Sequence, residues 1–141
     1  MQRAPFPATR LRRTRASAPL RHLVREVELS VHNLIWPIFV RDGEGIEEHI
    51  TAMPGVMRWS IDKVVAAAHE AAALGIPAIC LFPYTDASRK TERCEEAWNP
   101  NNLTNRAIRA IKDANIDIAI MTDIALDPYN IHGHDGIVRD G

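Results

Sequence analysis

The stretch Ser60–Pro83, SIDKVVAAAHEAAALGIPAICLFP, decides the fold. Ser60 is a residue type that caps helix N-termini, and Asp62 puts a carboxylate in the first turn, where the positive end of the peptide dipole favours it. Ile61, Val64, Val65, Ala68, Ala71 and Ala72 recur at three- and four-residue steps and form one apolar stripe. Gly75 supplies the stop, because only glycine enters the left-handed region without cost. Ala78–Phe82 is then a short apolar run closed by Pro83, the pattern of a buried strand with Cys80 as a small core hydrophobe. A capped helix that turns at glycine into a buried strand is half of a crossover unit.

The same grammar extends in both directions. Upstream, Leu34–Val40 (LIWPIFV) is an apolar run bounded by Asn33 and by Asp42-Gly43. It predicts a strand buried on both faces, in which Pro37 cannot donate to a ladder and is tolerated if the strand is short, twisted or edge-like. Downstream, a polar loop runs from Tyr84 to Asn99, and the cluster Asn99-Pro100-Asn101-Asn102 starts a second helix. Leu103, Ala107, Ile108, Ile111 and Ala114 form its stripe and Asn115 ends it. Ile116–Met121 predicts a third strand, with Thr122 and Asp123 at its C-terminal end. Strand, helix, strand, helix, strand is the order of a parallel α/β fold. Neither a Gly-x-Gly-x-x-Gly turn nor a Walker A loop is present, which disfavours a nucleotide-binding unit. A third strand without its crossover helix leaves a sheet face uncovered, so the chain is expected to be part of a longer one.

Composition sets outer limits. The 141 residues are 46% hydrophobic and 25% charged, the balance of a globular domain. No apolar run approaches the roughly 18 residues that span a bilayer, and the arginine-rich first residues have no apolar stretch before Val24, so a secretory signal is not expected. The two cysteines, Cys80 and Cys94, are too few for a disulfide scaffold and wrongly spaced for a zinc finger, so a reducing, cytoplasmic compartment is expected. The net charge of −1 hides an asymmetry: Arg3, Arg10, Arg12, Arg13, Arg15, Arg21 and Arg25 precede the first acid, Glu26. Pro5, Pro7 and Pro19 make residues 1–20 an extended arm, followed by a short helix near Leu20–Glu26. Charge alone leaves two readings of the arm, a nucleic-acid contact or a strap across a partner subunit.

The densest chemistry lies after the third strand. Asp123, Asp127, His132, His134 and Asp135 follow the C-terminal end of a buried strand, where α/β folds place their sites. They could act as acids, bases or metal ligands. The competing reading is a hydrophilic loop whose aspartates make Asx turns. Cys94 has no base placed beside it, His69 is expected on a solvent face, and Trp36, Trp59 and Trp98 read as packing residues. Lys63 and Lys112 lie on helices and Lys90 in a loop, so none sits at the desolvated strand end that an imine-forming lysine needs.

Taken together, several segments resemble one family, the porphobilinogen synthases (5-aminolevulinate dehydratases). They are Arg10–Arg13 with Leu23–Glu26; Leu34–Val40; Met53-Pro54-Gly55-Val56 with Arg58 and Ser60–Asp62; Leu81–Pro83; Asn99-Pro100 with Leu103 and Arg106–Lys112; and Thr122-Asp123 through Asp127-Pro128-Tyr129 to His132–Gly136. The resemblance implies a (β/α)8 barrel of which this chain is the N-terminal portion: an arm over residues 1–33, and over 34–141 the first strands and helices, ending in the active-site loop. It implies condensation of two 5-aminolevulinate molecules to porphobilinogen with loss of two waters, in tetrapyrrole (heme) synthesis, by two imine-forming lysines on strands beyond Gly141. It also implies a homo-octamer assembled through the arm, with neither nucleic acid nor membrane as partner. Zinc-dependent members carry three cysteines where this sequence has Ala125, Asp127 and Asp135. Alanine cannot ligate, and aspartate is a hard ligand suited to magnesium or potassium, so the zinc-free branch is implied. Asp127 and Asp135 would then orient the substrate amine, with Asp123 a polar neighbour, and the 141-residue piece alone should be unstable and inactive. The alternative from another class is a non-catalytic α/β module whose arginine arm binds an anionic partner.

Overall fold

The computed structural model describes residues 4–137 and residue 139. Arg3 of the basic arm and Gly141 at the C-terminal limit lie outside the described residues. The chain divides into two compact units, Met1–Ser30 and Val31–Gly141.

In the first unit a single turn at Arg13–Arg15 precedes α1, Ala18–Leu23. This helix starts earlier than the apolar spacing predicts, because Pro19 fits the first turn, where its missing N–H has no partner to lose. The Arg21 guanidinium donates to the Arg15 carbonyl at 3.1 Å, and that of Arg10 lies 5.5 Å from the Phe6 ring centre. Leu11, Leu23, Val27 and Leu29 are each at least 70% exposed, so the apolar residues of this unit build no core of their own.

The second unit is a five-stranded sheet under two helices. Its elements are β1 (Ile35–Val40), β2 (Glu47–His49), β3 (Met57–Trp59), α2 (Ile61–Ala73), β4 (Ala78–Pro83), α3 (Leu103–Asp113) and β5 (Ala119–Thr122). The strand order is β2-β3-β1-β4-β5. β1 runs parallel to β3 and to β4, β4 runs parallel to β5, and β2 pairs antiparallel with β3. β3 pairs only with Phe39 and Val40 of β1, so Pro37 lies where the ladder is one-sided and its missing N–H is tolerated. The hairpin β2–β3 has no signal in the local sequence. Three-residue strands reading EEH and MRW carry no apolar periodicity, and they are held instead by specific polar contacts. Glu48 bonds Arg41 and, at 3.0 Å, Arg58; Glu47 meets Lys63 at 3.0 Å.

The core forms between the sheet and the helices. Ile38 and Val40 of β1 and Ile79 and Leu81 of β4 meet Val64, Ala68 and Ala71 of α2 and Leu103, Ala107 and Ile111 of α3. The small alanine side chains let α2 lie close to the sheet. Trp36 and Trp59 close the core edge-to-face, with ring centres 5.8 Å apart. Along β1 the residues alternate: Ile38 and Val40 face the helices, while Ile35, Pro37 and Phe39 point to the opposite face of the sheet. Cys80 lies on that same open face, half-buried, rather than in the core. β5 begins three residues later than expected because the Ile118 N–H bonds the Ile116 carbonyl within a tight turn, yet both isoleucines remain buried.

The helix ends follow the sequence with one exchange of roles. Gly75 and Asn115 adopt left-handed backbone (φ +78° and +54°) at the two helix C-termini. Ser60 stands at the N-cap of α2, but its hydroxyl accepts from the Ile46 N–H at 2.8 Å and caps no helical amide. Asp62 accepts from the Gly45 N–H, and its carboxyl is held below the usual range by the Ser60 hydroxyl and then by that amide. Asn102 is the working cap of α3: its side-chain oxygen accepts from the Asn105 N–H at 2.8 Å, while its amide donates to the Glu96 and Ala97 carbonyls. Asn102→Ala is therefore expected to lower stability by about 1–2 kcal/mol, read as a drop in denaturant midpoint at constant slope.

Candidate active site

The C-terminal ends of β1, β3, β4 and β5 share one rim, as parallel pairing requires. On the open face of the sheet the Phe39 and Phe82 rings lie 5.6 Å apart. Arg58 is in register with Phe39 and so emerges on that face. Its guanidinium sits 4.5 Å from the Tyr84 ring centre and donates to Glu48 at 3.0 Å. Arg41 binds the other Glu48 oxygen, and its N–H donates to the Trp59 carbonyl at 2.9 Å. A second ionic group on the rim joins Asp42 to Arg106 and, at 3.4 Å, to Arg89, which also meets Glu96 at 3.4 Å. Sequence reasoning did not place Arg58 and Tyr84 at the site. The available signals were an arginine inside a strand-like MRW run and a tyrosine directly after the strand-ending Pro83.

The aspartates of the loop divide into different local roles. Asp123 follows β5 and accepts from the Ala125 N–H at 3.0 Å, an Asx turn. Its charge, after burial, pushes the Cys80 thiol above its ordinary range, so Cys80 stays protonated near neutrality. Asp127 opens a single helical turn, Asp127–Tyr129, with its side chain exposed. Asp135 brings the loop back on itself: its Oδ1 accepts from the Leu126 N–H at 2.7 Å and the Asp127 N–H at 3.0 Å. Asp127 and Asp135 are thus brought together through the backbone. His132 and His134 are exposed. Among the described residues no three His, Cys, Asp or Glu side chains converge to hold a metal ion, and Ala125 offers no donor. Between the loop and α3 lies a cavity of about 350 Å³ lined by Trp98, Thr104, Ile108, Asp123, Ala125 and Tyr129.

Two buried residues tie this loop to the β4–α3 connection. Asn130, 1% exposed, donates from its amide to the Glu92 carbonyl at 3.1 Å and to Cys94 Sγ at 3.6 Å. Its oxygen accepts from the His132 N–H at 2.7 Å. Cys94 is buried, not part of the exposed charged surface of its loop, and its thiol donates to the Leu126 carbonyl at 3.7 Å. Thr91 bridges both sides of Asn130 by backbone bonds.

The family model for delta-aminolevulinic acid dehydratase matches residues 8–141. The dehydratase of Rhodobacter capsulatus is 53% identical over 97% of this chain and 41% of its own length. That of Bradyrhizobium diazoefficiens is 49% identical over 95% of this chain and 38% of its own. The crystal structure of the Toxoplasma gondii enzyme, solved with the reaction product porphobilinogen, superposes with a TM-score of 0.86 at 41% identity, covering 94% of this chain and 37% of that one. The chain thus spans about two fifths of the length of these relatives. Its parallel strands β1, β4 and β5 and helices α2 and α3 are the N-terminal portion of a (β/α)8 barrel, and the open face with Phe39, Arg58 and Phe82 is the barrel's inner surface. With both the fold and nearly the whole sequence matched, the chain belongs to the delta-aminolevulinic acid dehydratase family.

Proposed function

We propose that the full-length protein condenses two molecules of 5-aminolevulinate into porphobilinogen and two waters, a lyase step of tetrapyrrole (heme) synthesis. The observation that supports this most is the Asp123–Asp135 loop, set at the C-terminal rim of a family-matched barrel half, where barrel enzymes hold their chemistry. Asp127 faces the substrate amine with a free-standing carboxylate. Asp135 holds the backbone that presents Asp127, and Asp123 gives the strand end a polar group facing the barrel interior. The imine-forming lysines belong to later strands: Lys63 is ion-paired to Glu47, and Lys112 is exposed on α3. The loop lacks thiolates at Ala125, Asp127 and Asp135, which favours a zinc-free enzyme, with magnesium or potassium the cations suited to aspartate. The arm, rich in arginine and exposed apolar side chains, fits assembly into a homo-octamer in the cytoplasm.

The test is porphobilinogen formation by the full-length protein supplied with 5-aminolevulinate, with and without a zinc-specific chelator. Conversion indifferent to the chelator is expected. No conversion sinks the assignment, and steep salt-dependent binding of RNA in its place would bring the anion-binding module forward. Activity lost with zinc and restored by zinc alone sinks the zinc-free reading.

A further inference from the structure

We infer that Cys94 and Asn130 form a latch that positions the carboxylate loop for turnover, making them positioning residues; this rests on the dehydratase reading given above. Three observations converge on Cys94. It is 4% exposed, although it sits in a connection full of charged residues. Its backbone is left-handed at φ +58°, a conformation unfavourable for a non-glycine residue that persists only where its surroundings fix it. Its thiol is the middle of a directed chain, in which the Asn130 amide donates to Sγ and the thiol donates to the Leu126 carbonyl.

The position of that last acceptor gives the chain its meaning. The Leu126 peptide unit leads directly into Asp127. Its carbonyl is held by Cys94, while the N–H groups of Leu126 and Asp127 are held by Asp135. Asn130 closes the same turn from the other end, since the Asn130 N–H bonds the Asp127 carbonyl at 3.3 Å and its side chain accepts from His132. Asp127 therefore rides on a four-residue turn clamped on the inside by buried groups, with its own carboxylate left outside. A buried amide with every bond made is expensive to disturb, because the loss of one partner strands another polar group. Such an arrangement fixes the carboxylate's direction more than it adds to the stability of the distant core.

The experiment uses the full-length protein with Cys94→Ala, Cys94→Ser and Asn130→Ala, read by steady-state kinetics and by hydrogen exchange of the segment 124–133. Serine keeps a donor and an acceptor at the same place; alanine removes both. The expected result is that Cys94→Ala and Asn130→Ala each lower kcat about tenfold, with KM changed less than about twofold. Exchange in 124–133 speeds up while α2 and α3 exchange as before, and Cys94→Ser recovers most of both. If Cys94→Ala does not fold, Cys94→Gly, which suits φ +58° and also lacks the thiol, replaces it. Unchanged kinetics with unchanged exchange overturns the latch. So does a serine variant as impaired as alanine, which would make the thiol a space-filler, or a kcat loss without faster exchange. Should the parent protein fail to convert 5-aminolevulinate at all, the dehydratase reading falls, and the exchange arm by itself still decides whether Cys94 and Asn130 hold the loop.

Discussion

Asp127→Ala in the full-length protein is expected to lower turnover of 5-aminolevulinate by more than a factor of ten, which is about 1.4 kcal/mol of barrier. The structure makes this substitution unusually clean. The backbone of Asp127 is held at both ends, its N–H by Asp135 and its carbonyl by the Asn130 N–H, while its side chain is exposed. Removing the carboxylate leaves those backbone bonds in place, so stability should change by no more than about 0.5 kcal/mol, the range of ordinary surface substitutions. The thermal midpoint is the control. Asp135→Ala differs, because that carboxylate receives two backbone amides and its loss would release the turn. Unchanged kinetics for Asp127→Ala, at unchanged midpoint, would remove Asp127 from the site.

Ile79→Ala is expected to produce the largest stability loss, about 3–4 kcal/mol. Ile79 is fully buried near the start of β4, where the sheet meets α2 and α3. The cost has two parts, the lost transfer energy of three carbons and the cavity left in a core whose alanine-lined helix face cannot close around it. Ile79→Val should cost only about 0.5–1.5 kcal/mol, since a single methylene is lost. Denaturant unfolding of the full-length protein distinguishes the two by the shift in midpoint. Equal shifts for alanine and valine would show that this site relaxes freely and that packing around Ile79 does not hold β4.

The parts of the fold legible in the sequence were those set by neighbours along the chain. The stripe from Ile61 to Ala72 gave α2, Asn102 and the stripe behind it gave α3, and Gly75 and Asn115 gave their ends, because capping and helical periodicity act within four residues. The apolar runs at Leu34–Val40 and Ala78–Phe82 gave the parallel strands for a similar reason. The family resemblance rested on residues in order along the chain, and it carried the barrel assignment that spacing alone could not. What local reasoning missed depended on partners distant in sequence. The β2–β3 hairpin exists through Glu48 reaching Arg41 and Arg58, and neither EEH nor MRW signals a strand by itself.

The candidate site divides in the same way. The strand-end rule pointed to Asp123, Asp127, His132, His134 and Asp135 as candidates, since a parallel sheet delivers every strand's C-terminus to one rim, and the family resemblance singled out the three aspartates. Which carboxylate accepts from the backbone and which does not was decided only when the loop closed, because Asp135 meets Leu126 and Asp127 across nine and eight residues of turn. Cys80 and Cys94 exchanged the environments their sequence neighbourhoods suggest. Cys80 faces the open side of the sheet because strand residues alternate, and Cys94 is buried because Asn130, 36 residues away, covers it. The sequence by itself determined the helices, the parallel strands and the chemistry available at the rim, all set by short-range sterics and hydrogen bonding. Only the tertiary structure decided which groups are buried, paired or presented, because burial belongs to the chain segments that arrive from elsewhere.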